Sequence, residues 1–263
     1  MSIRAVVLAA GEGTRLRPYT ADRPKCLVTF DGATLLDHQR AALTRAGVDD
    51  VSVVTGHARE AFDELPIATR HNPAFATTNM VASLMCARDL LDGSTDVLVA
   101  YGDIVYEARV VRDLLASEAS LATTVDRQWR ALWSLRMDEP LDDAETLRID
   151  ERGVIVDIGR PATSYDQVEA QYMGLILIRA EISAIVVDAF DRLEPMGDYR
   201  GRTRDQMFMT TFLSILGESV APLHAVVVDG GWLEFDAVAD LERYEQLRRS
   251  GALDEIWRSE VSR

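Results

Sequence analysis

Short apolar runs alternate along this chain with longer stretches in which apolar positions recur every three to four residues. That order is expected when strands and helices take turns across a parallel sheet. Ile3 to Ala9 is almost continuously apolar and reads as a strand buried on both faces. Leu27 to Phe30 is a short apolar piece closed by the turn Asp31-Gly32. Leu35 to Ala46 has helical spacing and stops at Gly47. Val51 to Val54 reads as a strand and His57 to Glu64 as a helix. A loop from Asn72-Pro73 to Asn79 leads into a helix over Met80 to Leu91. Val97 to Tyr101, Ala119 to Val125, Val154 to Pro161 and His224 to Val228 read as further strands. Val110 to Leu115, Glu181 to Phe190, Arg204 to Leu216 and Ala237 to Leu247 read as helices, with a last one around Leu253 to Trp257. Asp138 to Asp150 is acidic with few apolar residues and reads as a solvated excursion. The pattern predicts one α/β domain over 1–263, Rossmann-like, with a mixed, mainly parallel sheet, helices on both faces and a small β insertion within 119–178.

At the end of the first strand stands Leu8-Ala9-Ala10-Gly11-Glu12-Gly13-Thr14-Arg15-Leu16-Arg17-Pro18, followed by Arg23-Pro24-Lys25. Small residues let backbone N–H groups approach a bound anion, and successive N–H groups form a nest for phosphate oxygens. Arg15 and Lys25 add positive charge at the carboxyl end of a strand, where open α/β sheets bind ligands. A dinucleotide-binding turn would need a third glycine where Leu16 stands, and a Walker loop would need Gly-Lys-Ser or Gly-Lys-Thr. An ordinary strand-to-loop turn is the bland alternative. Lys25 is the one lysine among 28 basic residues. A compact ammonium in place of a planar guanidinium suits a tight site facing a moving phosphoryl group.

The run Leu-Ala-Ala-Gly-x-Gly-Thr-Arg-Leu-x-Pro, with Pro-Lys shortly after, resembles the signature of nucleotidyltransferases that join an NTP to a phosphorylated small molecule. Asn79-Met80-Val81-x-Ser83-Leu84 is similar to the subgroup using CTP with phosphocholine, 2-aminoethylphosphonate and related phosphonates. Glu169-Ala170-Gln171-Tyr172-Met173-Gly174-Leu175 resembles that subgroup's Glu-Gly-Gln-Tyr-x-Gly-Leu, with Ala170 in place of a glycine. Gly231-Trp232-x-Glu-x-Asp resembles its closing motif. The resemblance spans about residues 3 to 248. It implies transfer of CMP from CTP to phosphocholine, 2-aminoethylphosphonate or a hydroxyalkyl phosphonate, with release of pyrophosphate.

The resemblance also implies roles. Leu8, Ala9, Ala10, Gly11, Glu12, Gly13 and Thr14, with Asn79, Ser83, Tyr101 and Gly102, would hold the nucleotide; helix capping is the competing reading of Thr78 and Asn79. Asp103 and Asp236 would hold Mg²⁺, which binds through one or two carboxylates plus substrate phosphates; either could instead cap a helix. Arg15 would draw charge from the leaving pyrophosphate, and Lys25 would hold the acceptor or the α-phosphate. Asp126, Trp129, Trp133, Arg160, Glu169, Tyr172 and Trp232 are the acceptor-side candidates. An aromatic face beside a carboxylate can hold a quaternary ammonium or an amine, while core packing is the other reading of these aromatics. The subgroup's Met-Thr-Asp-Leu step stands here as Met209-Thr210-Thr211-Phe212, and the carboxylate missing at Thr211 points to an acceptor without an amine. A phosphate dianion needs no side-chain base to attack, so catalysis would consist of positioning and charge stabilisation.

A formal charge of −15 argues against a nucleic-acid partner and leaves Arg15, Arg17, Arg23 and Lys25 to gather an anionic substrate locally. Cys26 and Cys86 suggest no disulfide framework. With no signal sequence ahead of the first strand and no apolar run long enough to span a membrane, a cytoplasmic enzyme is expected. The expected partners are CTP and a small acceptor, with neither nucleic acid nor membrane; a homodimer is allowed. The competing functions are a uridylyl- or thymidylyltransferase acting on a sugar 1-phosphate, and a non-catalytic nucleotide-binding regulator.

Overall fold

The first apolar run becomes the middle of the molecule. A computed structural model describes residues 3–261. In chain order the elements are β1 (Ile3–Ala9), β2 (Thr29–Phe30), β3 (Ala33–Thr34), α1 (Leu35–Arg45), β4 (Asp50–Thr55), β5 (Ala68–His71), α2 (Met80–Met85), β6 (Asp96–Tyr101), β7 (Ile104–Tyr106), α3 (Ala108–Leu115), β8 (Leu121–Asp126), α4 (Trp129–Arg136), β9 (Glu145–Ile149), β10 (Ile155–Pro161), β11 (Gln171–Ile178), α5 (Ala180–Asp191), α6 (Met209–Ser219), β12 (Leu223–Val228), β13 (Trp232–Glu234) and α7 (Val238–Ser250).

The main sheet has seven strands in the order β12-β8-β11-β6-β1-β4-β5. Only β11 runs against its neighbours, pairing antiparallel with both β6 and β8, so the sheet is mixed and mainly parallel as expected. Alternation along β1 feeds two cores. Ala5, Val7 and Ala9 pack with the helices α1, α3, α4 and α7 on one face, and Val6, Leu8 and Ala10 with α2, α5 and α6 on the other. Burial on both faces explains why β1 is apolar throughout its centre.

Several boundaries differ from the expectation. His57 to Glu64 holds only the 3₁₀ turn Arg59–Phe62, with Phe62 its one buried side chain. The sequence Leu65-Pro66 disfavours helix just beyond it. The helix expected over Met80 to Leu91 breaks after Met85, and Arg88–Leu90 is a 3₁₀ turn that brings Leu91 into the core. Arg204 to Leu216 likewise divides into a 3₁₀ turn and α6. The Leu253 to Trp257 region is the 3₁₀ turn Ala252–Glu255.

The larger correction concerns Asp138 to Asp150. It contains β9, which pairs antiparallel with β10, and its few apolar residues are enough to anchor it because Ala144 and Leu147 are buried. No helix among the described residues is long and apolar enough to cross a membrane.

Candidate active site

β1 and β6 end side by side. The Gly102 N–H donates to the Leu8 carbonyl at 2.9 Å, and a Cβ on Gly102 would stand 2.7 Å from that oxygen. The two backbones therefore approach too closely for a side chain, and Asp103 emerges next to the glycine loop. That loop turns at Gly13, whose φ of 58° is left-handed, and Thr20 Oγ1 donates to the Gly13 carbonyl at 2.8 Å. Leu16 is fully buried under the following 3₁₀ turn. An apolar anchor thus replaces the glycine of a dinucleotide fold.

A cavity of about 380 Å³ opens above these ends, lined by Leu8, Ala9, Ala10, Gly11, Gly13, Thr14, Arg15, Lys25, Asn79, Ser83, Tyr101, Gly102, Asp103, Glu234 and Asp236 among others. Glu12 lies outside it and turns its carboxylate toward Arg17 at 3.5 Å. Asn79 and Ser83 stand on the wall with side chains already engaged. Asn79 Oδ1 accepts from the Met80 N–H at 2.8 Å, and Ser83 Oγ accepts from Asn72 Nδ2 at 3.0 Å.

Lys25 is the centre of charge. Its Nζ lies 3.0 Å from Asp103 Oδ2 and 2.9 Å from Asp236 Oδ1, and Arg15 Nη2 reaches the same Asp236 oxygen at 3.1 Å. Burial opposes the ammonium, but the two carboxylates outweigh burial and hold Lys25 above the ordinary lysine value. Burial likewise opposes the Asp236 carboxylate, yet Lys25, Arg15 and Arg136 keep it below the usual carboxyl range. Arg136, on α4, is only 2% exposed and backs the site. It contacts Glu234 closely, Asp236 Oδ2 at 3.5 Å and Asp240 Oδ1 at 3.2 Å. Burial among neighbouring carboxylates still pushes Glu234 upward, against Arg136. Carboxylate oxygens of Asp143, Glu234 and Asp236 lie within 4.8 Å of one another. The sequence reading passes over Glu234 and Asp143. The first was legible as the glutamate of the closing motif Gly231-Trp232-x-Glu-x-Asp, two residues before Asp236. The second sits in the stretch read as solvated.

The acceptor-side candidates divide. Trp133 and Tyr172 border a second hollow of about 160 Å³ that shares Met80, Tyr101, Glu234 and Asp236 with the first. Asp126 and Trp232 line a separate cavity of about 420 Å³ that shares no residue with these two, and Trp129 borders none of the three. Asp126 is 1% exposed and accepts from Trp232 Nε1 at 2.9 Å, the Gln128 N–H at 2.8 Å and the Gly230 N–H at 3.0 Å. The Trp129 and Trp232 rings pack against Trp133 with centroids 6.2 and 5.8 Å away. The structure thus places these three residues away from the nucleotide cavity, with Asp126 as a hydrogen-bonding hub, since a buried carboxylate must find donors. Arg160 and Glu169 also lie outside both cavities. Arg160 Nε is 3.5 Å from Asp157, and Glu169 accepts from the Ile149 N–H at 3.0 Å. Thr211 is buried in α6 and borders neither hollow, so its missing carboxylate carries no information about an amine.

The sequence profile of the MobA-like NTP transferase domain matches residues 5–162. The chain is 35% identical over 249 residues to the CTP:phosphoglutamine cytidylyltransferase of Campylobacter jejuni, covering 91% of this chain and 98% of that one. It is 37% identical over 158 residues to the CMP-5'-(3-aminopropyl)phosphonate synthase of Streptomyces rubellomurinus, covering 57% of this chain and 25% of that one. Among solved structures, the CTP:phosphocholine cytidylyltransferase from Streptococcus pneumoniae has the same fold, with a TM-score of 0.72 at 20% identity over 94% of this chain and 100% of that one. A glycine loop closed by the ion-paired Lys25 and a profile matched over more than half its length agree: the chain belongs to the MobA-like NTP transferase domain family and is a nucleotidyltransferase.

Proposed function

We propose that this protein transfers CMP from CTP to a small phosphorylated acceptor with release of pyrophosphate, and that phosphoglutamine is the first acceptor to test. The observation that carries the reading is the Lys25 ammonium held between Asp103 and Asp236 at the mouth of the glycine loop. The near full-length likeness to the Campylobacter jejuni cytidylyltransferase supports the choice of nucleotide and acceptor.

A divalent ion such as Mg²⁺ fits the donor set. Asp103 Oδ1 is buried without a hydrogen-bond partner, and Lys25 joins the other Asp103 oxygen to Asp236. Asp103 and Asp236 would hold the ion, which when bound neutralises phosphate charge. The rest of the reaction falls to the chain itself. Backbone N–H groups from Ala10 to Thr14 cradle the triphosphate, and Arg15 stabilises charge on the departing pyrophosphate. Lys25 shifts from the carboxylates toward the phosphoryl oxygens as these approach, a stabilisation that grows with developing charge.

The test is pyrophosphate release with Mg²⁺, crossing CTP, UTP, ATP and dTTP against phosphoglutamine, phosphocholine, 2-aminoethylphosphonate and glucose 1-phosphate. Turnover confined to CTP and a phosphorylated or phosphonylated amine supports the proposal. Turnover with UTP or dTTP and glucose 1-phosphate overturns it.

A further inference from the structure

We infer that His57 and Thr20 are positioning residues for nucleotide transfer, a latch outside the cavity that holds the glycine loop in the shape that receives a triphosphate. The inference rests on the loop cradling the triphosphate, as proposed above. It adds two residues that act through the loop and touch no substrate.

His57 lies just beyond β4 and meets the loop on either side of its glycines. Its backbone N–H donates to the Ala10 carbonyl at 3.0 Å, and its Nε2 lies 3.1 Å from the Thr20 carbonyl. A carbonyl only accepts, so this ring nitrogen carries the proton. Thr20 is fully buried, and its Oγ1 donates to the Gly13 carbonyl at 2.8 Å. That oxygen also accepts from the Leu16 N–H at 2.9 Å. Neither His57 nor Thr20 lines the nucleotide cavity.

The carbonyls of Ala10, Gly13 and Thr20 are thus all engaged by donors outside the cavity. An anion nest needs its N–H groups turned inward. Rotation of a peptide unit would present the negative end of a carbonyl to the phosphate instead, and glycine resists such rotation least. Donors held in place before the reaction need no reorganisation as charge develops.

Packing and backbone geometry carry the same inference independently of the hydrogen bonds. A Cβ on Gly56 would stand 2.4 Å from the Ala10 carbonyl and 2.6 Å from the Phe75 Cβ, so the chain leaving β4 presses directly on the start of the loop. Phe75 lines the cavity, and its ring centroid is 6.3 Å from that of His57. Ala58 follows with a left-handed φ of 47°, a conformation that a residue with a Cβ keeps only where its surroundings impose it. On the other side of the latch, a Cβ on Gly13 would lie 3.2 Å from Thr20 Cγ2 and 3.3 Å from Lys25 Cβ. Thr20 therefore bears on the lysine stem as well as on the loop N–H groups.

Calorimetric titration with inorganic triphosphate and Mg²⁺ probes the loop without base or acceptor, and CMP transfer gives kcat and the KM of each substrate. Thr20→Val and His57→Phe keep the side-chain shape and remove the donor. Each should weaken triphosphate binding and lower kcat by roughly tenfold, while the acceptor KM stays within about twofold of wild type. Thr20→Ser and His57→Gln keep a donor and should stay within about threefold of wild type in both respects. The double variant should lose less than the product of the single losses, because both residues act on one loop. Should His57→Phe not fold, Thr20→Val carries the same expectation through the Gly13 carbonyl. A lower Tm with unchanged triphosphate binding and kcat overturns the inference, as does an equal rise in acceptor KM or a failure of Thr20→Ser and His57→Gln to rescue. Turnover of UTP with glucose 1-phosphate would overturn the cytidylyl reading alone, since the triphosphate probe carries no base and still decides the latch.

Discussion

Asp240 accepts the backbone N–H of Asp236 at 2.8 Å, and so frees the Asp236 side chain from the capping role its position suggests. The same Asp240 oxygen accepts from the Ala237 N–H at 2.9 Å, and the other carboxylate oxygen meets Arg136. One carboxylate thus starts α7, anchors a buried guanidinium and leaves Asp236 facing Lys25.

Asp240→Ala is therefore expected to act at two levels. Losing the cap costs about 1 kcal/mol, and leaving Arg136 short of a partner brings the total to about 3 kcal/mol. A freed Asp236 backbone should also lower kcat by roughly tenfold, the scale of a misplaced catalytic group. Asp240→Asn retains an oxygen for the two N–H groups and should lie between Asp240→Ala and wild type in both respects. Chemical denaturation and initial rates check this; a stability loss in Asp240→Ala with unchanged kcat would show that Asp236 holds its place unaided.

The loop from Leu8 to Lys25 was legible because phosphate handling constrains the backbone itself, and small residues at fixed spacing leave a mark in one sequence. β9 was not legible, because Ala144 and Leu147 bury a strand that acidic neighbours disguise. The Asp126–Trp232 pair shows a different limit. A carboxylate beside tryptophans suits an amine cage and a hydrogen-bonded core equally well, and no local pattern announces that Trp232 Nε1 donates to Asp126. Pairing of β7 with β13 brings Ile104 opposite Glu234 across a long separation in sequence, which no local pattern announces.

Asp126→Ala tests the role of that residue as a hydrogen-bonding hub. Three donors lose their acceptor, so stability should fall by about 3–5 kcal/mol and Tm by roughly 10 °C. The acceptor KM of the folded fraction should stay within about twofold of wild type, since nothing in either cavity has changed. A tenfold rise in acceptor KM without a change in Tm would return Asp126 to the acceptor site.

His38 gives the stability a defined pH dependence. It is fully buried, its Nε2–H donates to the Phe30 carbonyl at 2.8 Å, and Ser259 Oγ lies 3.2 Å from its Nδ1. Burial lowers its pKa, outweighing the Phe30 carbonyl and the nearby Asp31 and Asp37. The unfolded chain therefore takes up this proton first as pH falls below about 6.5. Stability from this residue is full above that value and declines toward the lower folded pKa, by at most about 1.4 kcal/mol per pH unit. His38→Gln should remove this slope in denaturation series from pH 7.5 to 5.5, and an unchanged slope would contradict the assignment.

Lys25→Ala should lower kcat at least about a hundredfold, the scale of losing a preorganised transition-state donor. It should also expose the electrostatic bargain of the site. Among the described residues Asp103 then has no cationic partner, and Asp236 keeps Arg15 and Arg136. The lost ammonium should lower Tm when divalent ions are chelated, because a carboxylate withdrawn from water is left uncompensated. Millimolar Mg²⁺ should then raise the Tm of Lys25→Ala more than that of wild type, since the ion meets carboxylates no longer neutralised by Lys25. Lys25→Arg should not restore kcat, because the lysine stem packs against Gly13 and a planar fork cannot occupy the same compact position. Near-normal turnover in Lys25→Ala, or a Tm indifferent to both chelator and Mg²⁺, would remove Lys25 from the centre of the reaction.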